Sequence, residues 1–193
     1  KNDLILIHEK NIFFWIFFIT KYSYESYLDL ERKKYTMQEK EKYSNVEQFN
    51  QSSSIFKVHK LKKINVINNL LYEDTNFHTL KALCISNNLS IVIVFNHCYS
   101  ELIFGDTPSY IFVNEGNNSF YMKEYSKEQL EKEKKDKIFI KDLEKKMNSV
   151  SFYKVDELKD MAKKLKIDIV DSNNKKKKKV VLYDEIKLKL NKL

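Results

Sequence analysis

Leu89–Phe95 reads Leu-Ser-Ile-Val-Ile-Val-Phe, a near-continuous β-branched run broken only by Ser90. Such a run fits a strand covered on both faces rather than one half open to water. Short apolar stretches follow at close intervals. Tyr99–Phe104, Tyr110–Val113 and Phe120–Lys123 are separated by Gly105-Asp106-Thr107-Pro108 and by Glu115–Asn118, both turn-forming. Connections this short predict an antiparallel meander.

Upstream of the strands the period is helical. Asp3–Ile7 reads as a short strand, and Asn11 is placed to cap a helix over 12–29. Residues 31–54 are polar and end in Ser52-Ser53-Ser54, which reads as helix ends and a loop. Across Phe56–Tyr72, Val58, Leu61, Ile64, Ile67 or Asn68, and Leu71 recur at helical spacing. Asp74-Thr75-Asn76 is a capping cluster, with Phe77, Leu80 and Cys84 as the inner face of the next helix. Helices first and strands second predict an α+β domain over residues 1–125. Residues 126–150 read as a charged helical connector, and 151–193 as a small helix-extension-helix module.

Composition narrows the chemistry. With 193 residues, 42% of them apolar, the chain can bury one core and carry an appendage. Only Gly105, Gly116 and Pro108 represent glycine and proline. No phosphate loop, dinucleotide fingerprint or nucleophile elbow can be written with so few glycines. Of the 35 basic residues 34 are lysine, Arg32 being the exception, and Asn and Ile add 18 each. That bias is the mark of an AT-rich genome, so each lysine cluster must be discounted for it.

The charge is nevertheless uneven. Residues 1–125 hold 14 basic and 14 acidic side chains, whereas 126–193 hold 21 and 13, which places the whole net +8 in the last third. A cationic tail on a neutral body points to a polyanion, either nucleic acid or an anionic membrane surface. The most apolar run, Ile12–Ile19, is far shorter than the roughly 20 residues of a membrane span. It reads as a buried core element, and Lys21–Tyr27 offers no small-residue cleavage site. Two cysteines, Cys84 and Cys98, fit a reducing intracellular compartment.

Val155, Leu158, Ala162 and Leu165 form a compact stripe, with Lys159, Lys163 and Lys166 on another face. Ile167 and Ile169 are extended, Asp171–Asn174 is a polar loop, and Leu182, Ile186 and Leu190 mark a second helix. The order Val155-x-x-Leu158-x-x-x-Ala162-Lys163-Lys164-Leu165-x-Ile167, then Lys178-Lys179, then Leu182-x-x-x-Ile186 resembles the SAP domain and the Rho-termination N-terminal module. In that family the extended link and second-helix N-terminus hold nucleic-acid backbone. The resemblance therefore implies Lys175, Lys176, Lys177, Lys178 and Lys179 as contacts, with Lys163 and Lys166 beside them and DNA preferred over RNA. Lys166 stands where the family carries glycine, which implies a lysine at strained positive φ.

Enzymatic features are sparse. His97-Cys98, with Glu101 and the earlier Cys84, offers fewer ligands than the four in paired spacing of a structural zinc site. His8, His59 and His78 are scattered. We therefore expect no metal, no cofactor and no catalytic residue. The order of elements resembles OTU-type papain-like peptidases. Phe14–Ile19 and Tyr99-Ser100-Glu101-Leu102 resemble segments of uncharacterised giant DNA virus proteins. Ile16 stands where those relatives carry cysteine, and no histidine follows His97. Without a base to activate a thiol, a peptidase-like body would be a non-catalytic relative. The leading expectation is a non-enzymatic nucleic-acid-binding protein, which the viral resemblance implies is virion- or transcription-associated, in host cytoplasm or nucleus or in a virion. A cysteine- or metal-dependent hydrolase and a scaffold whose tail binds protein are the alternatives.

Overall fold

The computed structural model describes residues 5–52, 54–106, 110–114, 119–124 and 126–191. The chain forms two compact units, residues 1–93 with 101–124, and residues 94–100 with 125–193. Charge divides along the same line. The first unit is neutral and the second holds the 21 lysines and 13 acids that make net +8.

The first unit opens with β1 (Ile5–His8) and α1 (Ile12–Tyr22). Phe14–Ile19 are all buried, so the apolar run is a core helix, with Trp15 edge-on to Phe14, Phe18 and Tyr27. The single helix expected over 12–29 breaks at Ser23, whose φ is 109°. The Ser23 hydroxyl accepts the Ser26 N–H at 3.3 Å and starts α2 (Tyr24–Leu28). Asn11 precedes α1 but does not cap it with its side chain. Its Oδ1 accepts the Thr75 N–H at 2.8 Å instead.

An 18-residue helix, α3 (Lys34–Gln51), occupies most of the segment read as helix ends and loop. Its Lys, Glu, Gln and Met residues favour helix, but three of its buried positions are the polar Glu41, Lys42 and Asn45. No apolar stripe therefore appears in the sequence. Burial of Glu41 is compensated: its carboxylate accepts Lys21 Nζ (2.6 Å), Tyr22 OH (2.8 Å) and Asn45 Nδ2 (2.9 Å). The helix expected over 56–72 is also two pieces, α4 (Ser54–Val58) and α5 (Lys63–Tyr72). Between them Lys60 sits at φ 54°. It closes α4 as a Schellman motif: Leu61 N–H donates to Phe56 O (2.9 Å) and Lys60 N–H to Lys57 O (3.3 Å). The break leaves Val58 and Ile64 exposed and Val66 and Leu70 buried. Helix α6 (Phe77–Ser86) begins at Asn76, whose Oδ1 accepts the Thr79 N–H at 2.9 Å.

The strands β2 (Ile91–Val94), β3 (Cys98–Leu102), β4 (Tyr110–Asn114), β5 (Ser119–Glu124) and β6 (Ile138–Phe139) complete a mixed sheet ordered β1-β5-β4-β2-β3-β6. The expected antiparallel meander is not its topology. β4 and β5 are antiparallel (Phe112↔Met122), as are β1 and β5 (Ile7↔Phe120), but β3 and β6 run parallel (Cys98↔Ile138). A meander would leave β2 at an edge. Its four buried residues are instead flanked by strands on both sides, where its backbone groups are paired away from water. The expected turns over 107–108 and 115–118 lie outside the described residues.

In the second unit α7 (Lys127–Lys135) begins with a Ser126–Gln129 capping box and buries Leu130. Helices α8 (Val155–Lys164) and α9 (Lys179–Asn191) follow. Leu158, Ala162, Leu165, Leu182, Ile186 and Leu190 are buried in one core with Cys98, Ile138, Ile140 and Met147. Val155, expected in the inner stripe, is exposed. No helix among the described residues is long and apolar enough to cross a membrane.

Candidate nucleic-acid interface

Asp156 and Glu157 open α8, and Glu157 accepts the Lys154 N–H at 2.6 Å. The helix ends with Lys166 at φ 55°, the left-handed geometry implied by a lysine in a glycine position. Ile167 N–H donates to Ala162 O (2.8 Å) and Lys166 N–H to Lys163 O (3.0 Å), a complete Schellman closure. That closure turns the Lys166 side chain out to solvent.

The five-lysine run is not a free loop. Val170 and Lys176 form an antiparallel bridge, and Asp171 N–H donates to Lys175 O (2.8 Å). Asp171 Oδ1 accepts the N–H groups of Asn173 and Lys175, both at 2.9 Å, and Asn174 turns the chain at φ 61°. Lys175 and Lys176 thus lie on the returning arm of a small hairpin, Lys177 and Lys178 link it onward, and Lys179 is the first residue of α9.

The candidates differ in how far they are engaged. Lys177 is mostly covered, and its ammonium donates to both Glu185 oxygens at 2.9 and 2.8 Å. Lys163 is exposed and 3.8 Å from Asp160. Lys166, Lys175, Lys176 and Lys178 are exposed, and Lys179 is half-buried. None of these five has an ion pair among the described residues.

A second group of lysines, not expected from sequence, gathers at the turn before β3. Lys137 Nζ donates to the carbonyls of Phe95 (3.1 Å) and Asn96 (2.8 Å), and Lys164 Nζ donates to Lys137 O (2.9 Å). Burial, then Lys189, Lys166 and Lys137, hold the His97 imidazole below its ordinary value. A base lowered on folding adds stability above its unfolded pKa and loses it as pH falls through the folded one. The signal that could have located this group, a lysine facing turn carbonyls forty residues away, has no sequence periodicity.

Neither cysteine is poised as a nucleophile. Both are free and buried, and among the described residues no group of three or more His, Cys, Asp or Glu side chains is placed to hold a metal ion. Burial pushes the Cys84 thiol strongly up, and pushes Cys98 up to about 11 against the opposing pull of Lys146 and Lys137. At neutral pH maleimide should therefore label native Cys98 on the order of a hundredfold more slowly than a free thiol. A rate equal to that of free cysteine would contradict this. For an acid raised on folding the stabilising term is whole below the free thiol's 9.0 and is lost as pH climbs to about 11. No family model, curated protein or solved structure matches the chain.

Proposed function

We propose that the chain is a non-enzymatic nucleic-acid-binding protein whose second unit grips phosphate backbone through lysines, with DNA preferred over RNA. The observation that carries this reading is the division of charge. The genome bias that loads the chain with lysine acts on both units, yet the first is neutral and the second holds net +8. Lys163, Lys166, Lys175, Lys176, Lys178 and Lys179 are the proposed contacts. Lys177, held by Glu185, positions its neighbours rather than meeting phosphate. Lysine supplies point charge without arginine's fork, so binding tolerates sequence and depends steeply on salt.

The test uses the full chain and a labelled duplex, read by fluorescence anisotropy across a salt series. Each lost phosphate contact lowers the slope of log K against log salt by about 0.9. The K175Q/K176Q/K178Q variant should therefore flatten the slope by roughly 2–3. An unchanged slope, or no affinity of the unaltered chain at low salt, would refute the reading. Val180, Val181 and Leu188 are exposed on α9 and favour a second reading, in which this helix docks a protein.

A further inference from the structure

Phe152, the last residue of the 3-10 turn Val150–Phe152, is 68% exposed. It is not an isolated apolar side chain at the surface. Its ring stands edge-to-face with Tyr153, centroids 5.2 Å apart and planes at 78°, and Tyr153 in turn meets Tyr183 of α9 at 6.2 Å. We propose that these rings form a stacking platform for an unpaired base of single-stranded nucleic acid, with Lys187 taking an adjoining phosphate. This strand preference rests on the nucleic-acid reading of the second unit and narrows it to unpaired strands.

The chain path fixes the platform before any strand arrives. Tyr153 precedes Lys154, the N-cap of α8, and packs partly buried against the core that holds Leu158. Tyr183 packs against the same core from α9. Both hydroxyls are tied to one residue: Asn148 N–H donates to the Tyr153 oxygen at 3.0 Å, and Tyr183 OH donates to Asn148 O at 2.7 Å. Phe152 N–H donates to Ser149 O at 3.0 Å and closes the turn. An edge-to-face contact covers at most one face of a ring. Phe152 therefore keeps an open face on a support whose rotamer freedom is already spent, which lowers the ordering cost of binding.

Charge separates a base from an apolar protein surface as the occupant. Lys187 follows Tyr183 by four residues on the same side of α9, and its ammonium lies 5.9 Å from the Tyr183 ring centroid. Of the acids nearest in sequence, Glu157 is engaged by the Lys154 N–H (2.6 Å) and Asp156 by the Lys159 ammonium (2.7 Å). Asp184 stands about 100° round the helix from Tyr183. The unit as a whole carries net +8. Rings flanked by a cation suit a nucleotide, whose flat base and anionic phosphate are neighbours, and they suit any sequence because every base has a π-face. In a duplex the bases stack on one another and are closed to the platform.

Fluorescence anisotropy of the full chain tests this with three labelled probes: a short oligothymidylate, an abasic strand with the same number of phosphates, and a duplex. The oligothymidylate should bind about tenfold more tightly than the abasic strand, the worth of one stacked base. F152A should abolish that ratio and leave abasic-strand affinity, duplex affinity and Tm near their unaltered values. F152L keeps apolar bulk but has no π-face, and should behave as F152A. F152W should keep the ratio, and its added indole should be quenched by oligothymidylate and not by the abasic strand; Trp15, the one native indole, is buried. K187Q should lower the slope of log K against log salt for oligothymidylate by about 0.7. K175Q/K176Q/K178Q should weaken all three probes together and keep the ratio. A salt slope unmoved by that triple variant, with the ratio kept, would refute the lysine contacts and leave the platform standing, so the two readings fail separately. Equal binding of oligothymidylate and abasic strand, no binding of either, or full affinity in F152L, the mark of an apolar protein-docking patch, would overturn the proposal.

Discussion

Gly105→Ala is expected to destabilise the first unit by about 3 kcal/mol or more, read as a lowered urea midpoint at unchanged slope. An added Cβ would overlap the Asn88 carbonyl oxygen and lie 2.8 Å from the carbonyl carbon, both backbone atoms. Neither side can retreat. Asn88 is fixed at φ 52° by the closure of α6, where Leu89 N–H donates to Cys84 O at 2.9 Å. Gly105 N–H and Phe104 N–H both donate to the buried Ser90 hydroxyl, at 3.0 and 3.1 Å. Backing away from Asn88 would strain or break those bonds. Ser90→Ala, which removes only the acceptor, should cost less, about 1–2 kcal/mol. A Gly105→Ala midpoint within error of the unaltered chain would show that the loop yields.

The second large effect lies in the other core. Leu158 is fully buried at the contact of α8 with α9, and Leu158→Ala should cost roughly 2–5 kcal/mol through lost transfer energy and the cavity left behind. The same core draws Cys98, Ile138, Ile140 and Met147 from outside residues 151–193. A peptide of 151–193 leaves those four behind. It should show helix by circular dichroism but no cooperative melt, since so short a chain has little core to lose. A sharp melt of that peptide would mean that the helix pair is stable alone.

What was legible in the sequence was local. Asn76 ahead of Phe77, the Ile91–Val94 run, and the stripes of Leu158-Ala162-Leu165 and Leu182-Ile186-Leu190 each carry their signal within a few residues. What was hidden is set by distant partners. Helix α3 carries no apolar stripe because Glu41 and Asn45 take inner positions, and what makes them tolerable, Lys21 and Tyr22, lies on another helix. Strand order escaped because adjacency in sequence says nothing of which strand claims the interior of a sheet. In the candidate site the lysine run itself was plain. Its division into exposed members and the committed Lys177 depended on Glu185, eight residues on and across a helix start.

Lys60 and Lys166 carry a consequence of a different kind. Both hold a helix end in a geometry that glycine adopts freely and that costs an L-residue about 1–2 kcal/mol. Any lysine codon becomes a glycine codon only through two separate A-to-G changes, and a gene whose lysine, asparagine and isoleucine codons are dominated by A and T is poor in such pairs. The distance from strain to relief at these helix ends is therefore a mutational one. The backbone angles of a folded protein here preserve a record of the nucleotide supply from which its gene was written.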